Sequence, residues 1–460
     1  MTGQYLTEGR GKRMKQPFAW GTATAAFQIE GGYREDGKGD SIWDVYTHAL
    51  TRMGRGAVGD VACDHYHRFR EDIRLMAGMG VNAYRFSIAW SRVLPNGTGE
   101  VNEAGIRFYS DLIDEMRAYG IEPYVTLYHW DLPQALFERG GWVSDEMPDW
   151  FYRYARLIGE RFGDRVKHFI TINEPSNIIE GMTPGGSNAP ARGYSMPERL
   201  NAIHNILLSH GMAVKALRET VDGAKIGIAP CSGVPCPPAD DPVFIERARQ
   251  SYFYMSPQDP KDSVTVWLDP IFLGDYPQEY YEVYGDQMPE IHPGDLALIS
   301  QPIDFCFQNI YGGQRYRSDG NGGWTPDMDG ITYNMLGWAV VPDALYWGSR
   351  FLYERYQKPV CIMENGYCSA DTVDRDGCVH DMERCRFLED YLDALMRAKA
   401  DGVDIRGYFY WTLMDNLEWE LGFEPRFGLI HVDFDTLIRT PKDSYFRYRD
   451  LIALYTAMDI

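Results

Sequence analysis

Residues 69–88 read FREDIRLMAGMGVNAYRFSI, and this stretch decides the fold. Phe69, Ile73 and Met76 recur three and four positions apart, the spacing of one apolar face of an α-helix. Gly80 ends that helix, since glycine accepts the left-handed conformation that closes a last turn. Val81, a β-branched residue, then leads into NAYRFSI (82–88), a short apolar strand. The same punctuation recurs: Phe108, Leu112 and Met116 precede Gly120-Ile121 and PYVTLY (123–128), and Leu388, Tyr391 and Leu395 precede Gly402-Val403 and IRGYFYW. Strands that alternate with helices imply parallel βα units.

Reading outward gives eight candidate strands: FAWGTA (18–23), NAYRFSI (82–88), PYVTLY (123–128), VKHFITIN (166–173), KIGIA (225–229), DFCFQN (304–309), PVCIME (359–364) and RGYFYW (406–411). Eight parallel strands with intervening helices predict an α/β fold, a single (β/α)8 TIM barrel with long βα loops. The alternative is an open doubly wound sheet, and the lack of an early G-x-G-x-x-G turn argues against its dinucleotide-binding form. No linker, low-complexity run or like-charge block divides residues 1–460, so one barrel domain is expected. Cys231 to Lys261, with Pro235, Pro237 and Pro238, reads as a long surface loop carrying a short helix.

The formal net charge of −21 repels phosphate backbones and anionic lipids, so neither nucleic acid nor a membrane is an expected partner. Aromatic residues make up 14% of the chain, enough for a large core and also for a cleft that stacks on sugar rings. None of the eight cysteines forms a C-x-x-C pair, so zinc and redox spacings are missing and free thiols are expected. Cys368, Cys378 and Cys385 read as solvated loop thiols. The opening MTGQYLTEGRGKRMKQPFAW has no apolar signal core, and no run of about 18 apolar residues could span a bilayer. The expected compartment is the cytoplasm. His65-Tyr66-His67 has metal-hydrolase spacing but opens a helix instead of ending a strand, and His204 and His210 read as helix-face histidines. No metal is expected.

In a (β/α)8 barrel the chemistry sits at the carboxyl ends of the strands. Polar residues gather there: Gln28 and Glu30, His129, Trp130 and Asp131, Asn173 and Glu174, Asn309 and Tyr311, Glu364 and Asn365, and Asp415 to Trp419. Glu174 and Glu364 each end an otherwise apolar strand. Desolvation raises a carboxyl pKa and a second carboxylate raises it further, so one partner can keep its proton while the other ionises. The plainer reading is two ordinary strand-end glutamates paired with arginines.

The ordered motifs AWGTATAAFQIEGG, DHYHRFREDI, YRFSIAWSRVLPNG, YHWDLPQAL, TINEP, NIYGG, MENG and WTLMDNLEWELGFEPRFGLIHVDF resemble family 1 of the glycoside hydrolases, the β-glucosidase family, from about Phe18 to the C-terminus. The resemblance implies a retaining exo-β-glycosidase that needs no cofactor and acts on a small β-glycoside or oligosaccharide. Glu174 would be the acid/base and Glu364 the nucleophile, their carboxyls about 5–5.5 Å apart. Asn173 would hold the sugar 2-hydroxyl. Gln28, His129, Glu418 and Trp419 would bind the remaining hydroxyls, with Asn309 and Phe427 also in the pocket. Trp411 would lie under the ring and Trp338 under the leaving group. Arg85 and Tyr311 would contact Glu364, and Trp130 would support the cleft. Relatives range from monomers to larger assemblies, so a homo-oligomer is among the states allowed. Met363, Cys361 and the segment GGSNAPARGYSMP depart from the family's usual pattern.

Two rivals share the fold. A 6-phospho-β-glycosidase would replace the Glu418-Trp419 pair and carry lysine and tyrosine soon after, where this chain has Pro425 and Phe427. A catalytically inactive sugar-binding relative would have lost one or both glutamates, and this chain keeps both. A glutamine in place of Glu174, as in myrosinase-like enzymes, is likewise not found.

Overall fold

The computed structural model describes residues 17–238, 241–321, 323–327 and 329–458. The expectation drawn from the first 16 residues lies outside them. Eight parallel strands build the core: β1 (Ala19–Ala23), β2 (Ala83–Ser87), β3 (Glu122–Tyr128), β4 (His168–Asn173), β5 (Lys225–Ala229), β6 (Cys306–Asn309), β7 (Val360–Asn365) and β8 (Ile405–Trp411). Their order is β5-β4-β3-β2-β1-β8-β7-β6. Each of the eight predicted strands is found. β1 pairs with both β2 and β8, Gly21 standing opposite Ala83 on one side and Phe409 on the other. The two ends of that order, β5 and β6, meet where Asp304 N–H donates to the Ile226 carbonyl at 2.9 Å. The sheet is therefore a nearly closed barrel and not an open doubly wound one.

Helices ring the barrel, including His65–Met79, Glu103–Ala118, Met147–Phe162, Met196–Thr220, Asp343–Tyr356, Met382–Ala400 and Asp443–Ala457. Phe69, Ile73 and Met76 are buried on the first of these, which stops at Gly80 with φ +80°. The strands are buried on both faces, as a helix-wrapped parallel sheet must be. Aromatic rings fill the barrel floor: Tyr124 lies 4.2 Å from His168 and 4.8 Å from Phe409, ring centre to ring centre. Gly21 gives Phe409 its space, since a Cβ there would stand 2.3 Å from the ring. Apolar bulk thus plugs the amino end, and the polar residues are left to the carboxyl end.

The Cys231–Lys261 loop contains the expected helix, Pro242–Tyr252, and also a strand, Val234–Cys236. That strand pairs with Gly313–Ser318, which pairs in turn with Trp324–Pro326, giving a small sheet beside the barrel mouth. The reading of three solvated thiols needs correction. Cys378 is exposed, but Cys368 and Cys385 are buried. The chain after β7 folds back under residues 335 and 426, and Cys385 sits on the inward face of helix Met382–Ala400. His65 pairs with Asp72 at 2.7 Å, and His67 with Asp64 and Glu35. His204 and His210 lie on the Met196–Thr220 helix, where His204 meets Tyr276 and Asp295 and His210 meets Thr171. Among the described residues no group of His, Cys, Asp or Glu is arranged to hold a metal ion, and no helix is long and apolar enough to cross a membrane.

Candidate active site

Two irregular strand ends deliver the glutamates. The β4 ladder shifts register between Ile170 and Asn173, and the β7 ladder shifts between Ile362 and Glu364. Such bulges re-aim side chains and cluster beside active sites. Glu174 adds a left-handed backbone, φ +41°, as do Trp130 (+75°) and Trp419 (+50°). Left-handed backbone in residues with a side chain costs energy and collects where function fixes geometry. All three residues line one cavity of about 880 Å³ at the barrel's carboxyl end, together with Glu364, His129, Asn309, Tyr311, Trp338, Trp411, Glu418 and Phe427. Gln28, Asn173 and Arg85 are fully buried directly behind that lining.

The two glutamates differ in their company. Arg85 Nη1 donates to Glu364 Oε1 at 2.6 Å, and Tyr311 Oη donates to Glu364 Oε2 at 2.8 Å. Among the described residues no cation forms an ion pair with Glu174. Its Oε1 accepts from Asn309 Nδ2 at 2.7 Å and its Oε2 from Asn177 Nδ2 at 2.6 Å. Asn309 Nδ2 gives its other hydrogen to Asn173 Oδ1 at 3.0 Å, so one amide ties Glu174 to Asn173. Burial pushes Glu174 up to about 8, and the Glu364 charge pushes the same way. Burial raises Glu364 as well, but the Arg85 guanidinium and the Tyr311 hydroxyl pull it back. The pair therefore shares its charge unevenly: the proton stays on Glu174 and the negative charge sits on Glu364.

Asn173 connects this pair to the far wall. Its Oδ1 accepts from Arg85 Nη2 at 2.5 Å and Asn309 Nδ2 at 3.0 Å, which turns its Nδ2 toward His129 Nε2 at 3.0 Å. His129 is buried and held neutral, first by desolvation and then by Arg85. With Nε2 accepting, Nδ1 carries the proton, and it has no protein partner. Gln28 Oε1 and Asn309 Oδ1 are also buried without partners. Buried polar atoms left open in this way suit a hydroxyl-rich ligand. Gln28 Nε2 donates to the Leu417 carbonyl at 2.8 Å and reaches Glu418 Oε2 at 3.5 Å. Burial, with Glu420, Glu364 and Glu174 nearby, lifts Glu418 to about 8.

Aromatic residues form the rest of the cavity. Trp130 stacks near Trp419 at 4.5 Å, and its Nε1 donates to the Asn173 carbonyl at 3.0 Å. Trp411 and Trp419 flank His129 at 5.7 and 5.9 Å. Trp338 is 41% exposed and packs on Tyr311 and Phe427 at the cavity's outer end. Trp142 is buried in the core. Of the polar strand-end residues, Glu30, Asp131, Asn365, Asp415 and Asn416 stay outside the cavity lining: Glu30 pairs with Arg92, Asn365 bonds the Ile310 carbonyl, and Asp415 pairs with Arg426 and Lys442. Sequence reading missed Asn177, although it stands three residues after Glu174 at the start of helix Pro175–Glu180, where such a contact is ordinary. It also missed Gln314, Tyr316, Lys261 and Asp262, which come from the small sheet and the long loop.

The family model for glycosyl hydrolase family 1 matches residues 11–456. The chain belongs to glycosyl hydrolase family 1. This family 1 hydrolase is 40% identical to beta-glucosidase A of Thermotoga maritima over 450 residues, 96% of this chain and 98% of that one. Against beta-glucosidase A of Acetivibrio thermocellus the identity is 40%, covering 95% and 97% of the two chains. The structure of the Thermotoga maritima beta-glucosidase in complex with glucoimidazole matches with a TM-score of 0.85 at 40% identity, covering 95% of this chain and 98% of that one.

Proposed function

We propose that this family 1 hydrolase is a retaining exo-β-glucosidase, acting on terminal β-D-glucosyl residues, with β-galactosides and β-fucosides as secondary substrates. The observation that carries the reading is the unequal pair: Glu364 is gripped by Arg85, and Glu174, with no ion pair among the described residues, has a raised pKa. A Glu364 oxygen attacks the anomeric carbon. The bond to the leaving oxygen breaks, its electron pair stays on that oxygen, and Glu174 supplies the proton. Water then gives a proton to Glu174, its oxygen attacks the anomeric carbon from the face the leaving group left, and Glu364 is released. Two inversions retain the β configuration. That both carboxyls line one cavity, with the Glu364 charge acting on Glu174, supports the short spacing that this route needs, about 5–5.5 Å.

Asn173, Gln28, His129, Glu418 and Trp419 grip the sugar hydroxyls in this reading, over the Trp411 platform. Asn309 and Phe427 complete the pocket, Trp130 braces it, and Trp338 takes the leaving group. The named relatives, both beta-glucosidases, support glucose as the sugar. A 6-phosphate fits poorly. Among the described residues Lys261 is the one cation on the cavity wall, and its ammonium already meets Glu180, Asp259 and Asp262.

The test uses nitrophenyl β-D-glucoside with Glu364→Gly. Hydrolysis should be lost, and azide should restore turnover by delivering the α-glucosyl azide, one inversion without the second. Unchanged turnover in the variant would overturn the nucleophile, and wild-type activity confined to the 6-phosphate would overturn the substrate.

A further inference from the structure

A general acid must touch the leaving oxygen, so the chain that runs on from Glu174 lines the leaving-group side of the cleft. That chain is the helix Pro175–Glu180, which packs against the turn Pro260–Asp262. Ser176, Asn177, Glu180, Lys261 and Asp262 all face the cavity. Lys261 Nζ stands 2.9 Å from Asp262, 3.4 Å from Glu180 and 3.5 Å from Asp259. Arg199 Nη1 also meets Asp259, at 3.3 Å, so three carboxylates against two cations leave the cluster net negative by one charge. Glu420 adds a further carboxylate to the lining of the same cavity. Trp338, 41% exposed, lines the same cavity, and the face of an indole ring attracts cations.

Resting on the catalytic reading above, we propose that the Glu180–Lys261–Asp262 cluster sets the charge preference of the leaving group: cationic leaving groups are favoured, neutral ones accepted and anionic ones rejected. The natural substrates then belong to the class of β-glucosides whose leaving group carries an amine or no charge. The cluster acts at the edge of the cleft, where an ion pair is partly screened, so selectivity of about tenfold is the expected scale.

Three aryl β-D-glucosides test this. The 4-(2-aminoethyl)phenyl, 4-(2-hydroxyethyl)phenyl and 4-(carboxymethyl)phenyl compounds place a positive, neutral or negative group one or two carbons from the ring, so the acidity of the departing phenol changes little. kcat/KM should fall in that order, with the cationic compound about tenfold above the anionic one. The spread should shrink toward unity at about 1 M salt, where screening acts within about 3 Å. Asp262→Asn should narrow the ratio of cationic to anionic turnover, and Lys261→Met should widen it. Equal values for the three compounds, a reversed order, or variants that move the ratio the wrong way would overturn the inference and leave the catalytic reading standing. No turnover of the neutral compound would sink both.

Discussion

At the scale of single residues, the site concentrates what a folded protein normally avoids. Glu174 and Glu364 are buried and Glu418 partly buried in one cavity, and among the described residues a single guanidinium, Arg85, contacts one of them. Glu174 and Glu418 are each raised to about 8 from an ordinary 4.5. The folded state therefore holds their protons where the unfolded chain has released them. Stability is lost as pH climbs from about 4.5 toward 8, because ionising these groups is harder in the fold than outside it. Glutamine has no proton to lose. Glu174→Gln and Glu418→Gln should thus raise the melting temperature by several degrees at pH 8, and the gain should fade to near zero at pH 4. A pH series of thermal melts reads this, and a gain that does not vary with pH would contradict the assigned pKa shifts. Turnover tracks the same group from the other side. With Glu174 as proton donor, kcat/KM should fall as pH rises through about 8, while the acid limb belongs to Glu364.

The elements show which parts of this molecule a sequence declares. Strands such as β2 and β8 declared themselves because both faces are almost wholly buried, so each is a short run rich in apolar and aromatic residues, crossed by one arginine and set off by a helix-stopping glycine. The strand Gly313–Ser318 did not. It carries Arg315 and Arg317 on an open ribbon, held by Asp327 and Asp329, and no apolar run marks it. The acidic pair could be read because each glutamate breaks an apolar strand. The partners that make the pair unequal, Arg85 on β2 and Tyr311 beyond β6, sit 279 and 53 residues from Glu364, a proximity that only the closed barrel creates. Closure also places a testable load on Gly21. Its missing side chain accommodates Phe409, and an added Cβ would meet the ring at 2.3 Å and the Ala83 carbonyl at 3.0 Å. Gly21→Ala should cost about 1–3 kcal/mol, the range for an overpacked core. Phe409→Leu in the same chain should recover part of that loss. Denaturant midpoints read both, and a single variant as stable as wild type would show that the barrel floor is not tightly packed.

Across the whole molecule, the end of the chain ties back to its beginning and to the sugar-facing loop. Tyr448 Oη donates to the Gly21 carbonyl at 2.8 Å and Tyr445 Oη to that of Leu75 at 2.7 Å, so the last helix straps the first βα unit. Beneath it lies a buried ion network. Lys442 Nζ meets Asp371 at 2.5 Å and Asp415 at 2.7 Å, Arg384 meets Asp371 and Asp381, and Arg426 meets Asp415 at 2.7 Å. Three cations balance three carboxylates, so the cluster is neutral as a whole. Asp415 opens the segment that runs to Glu418 and Trp419, which makes this network the anchor of the loop proposed to bind the sugar. Lys442→Met keeps the length and apolar stem of the side chain but leaves one buried carboxylate without compensation. Removing one member of a buried pair costs about 3–5 kcal/mol. The variant should lose stability on that scale, and KM for the glucoside should rise more than kcat falls, because the loop binds the sugar and the reacting carboxyls lie elsewhere. Adding Asp371→Asn restores the charge balance and should return part of both losses. A double variant no better than the single one would mean that the lysine acts through its contacts alone, and that charge balance is not what holds the loop.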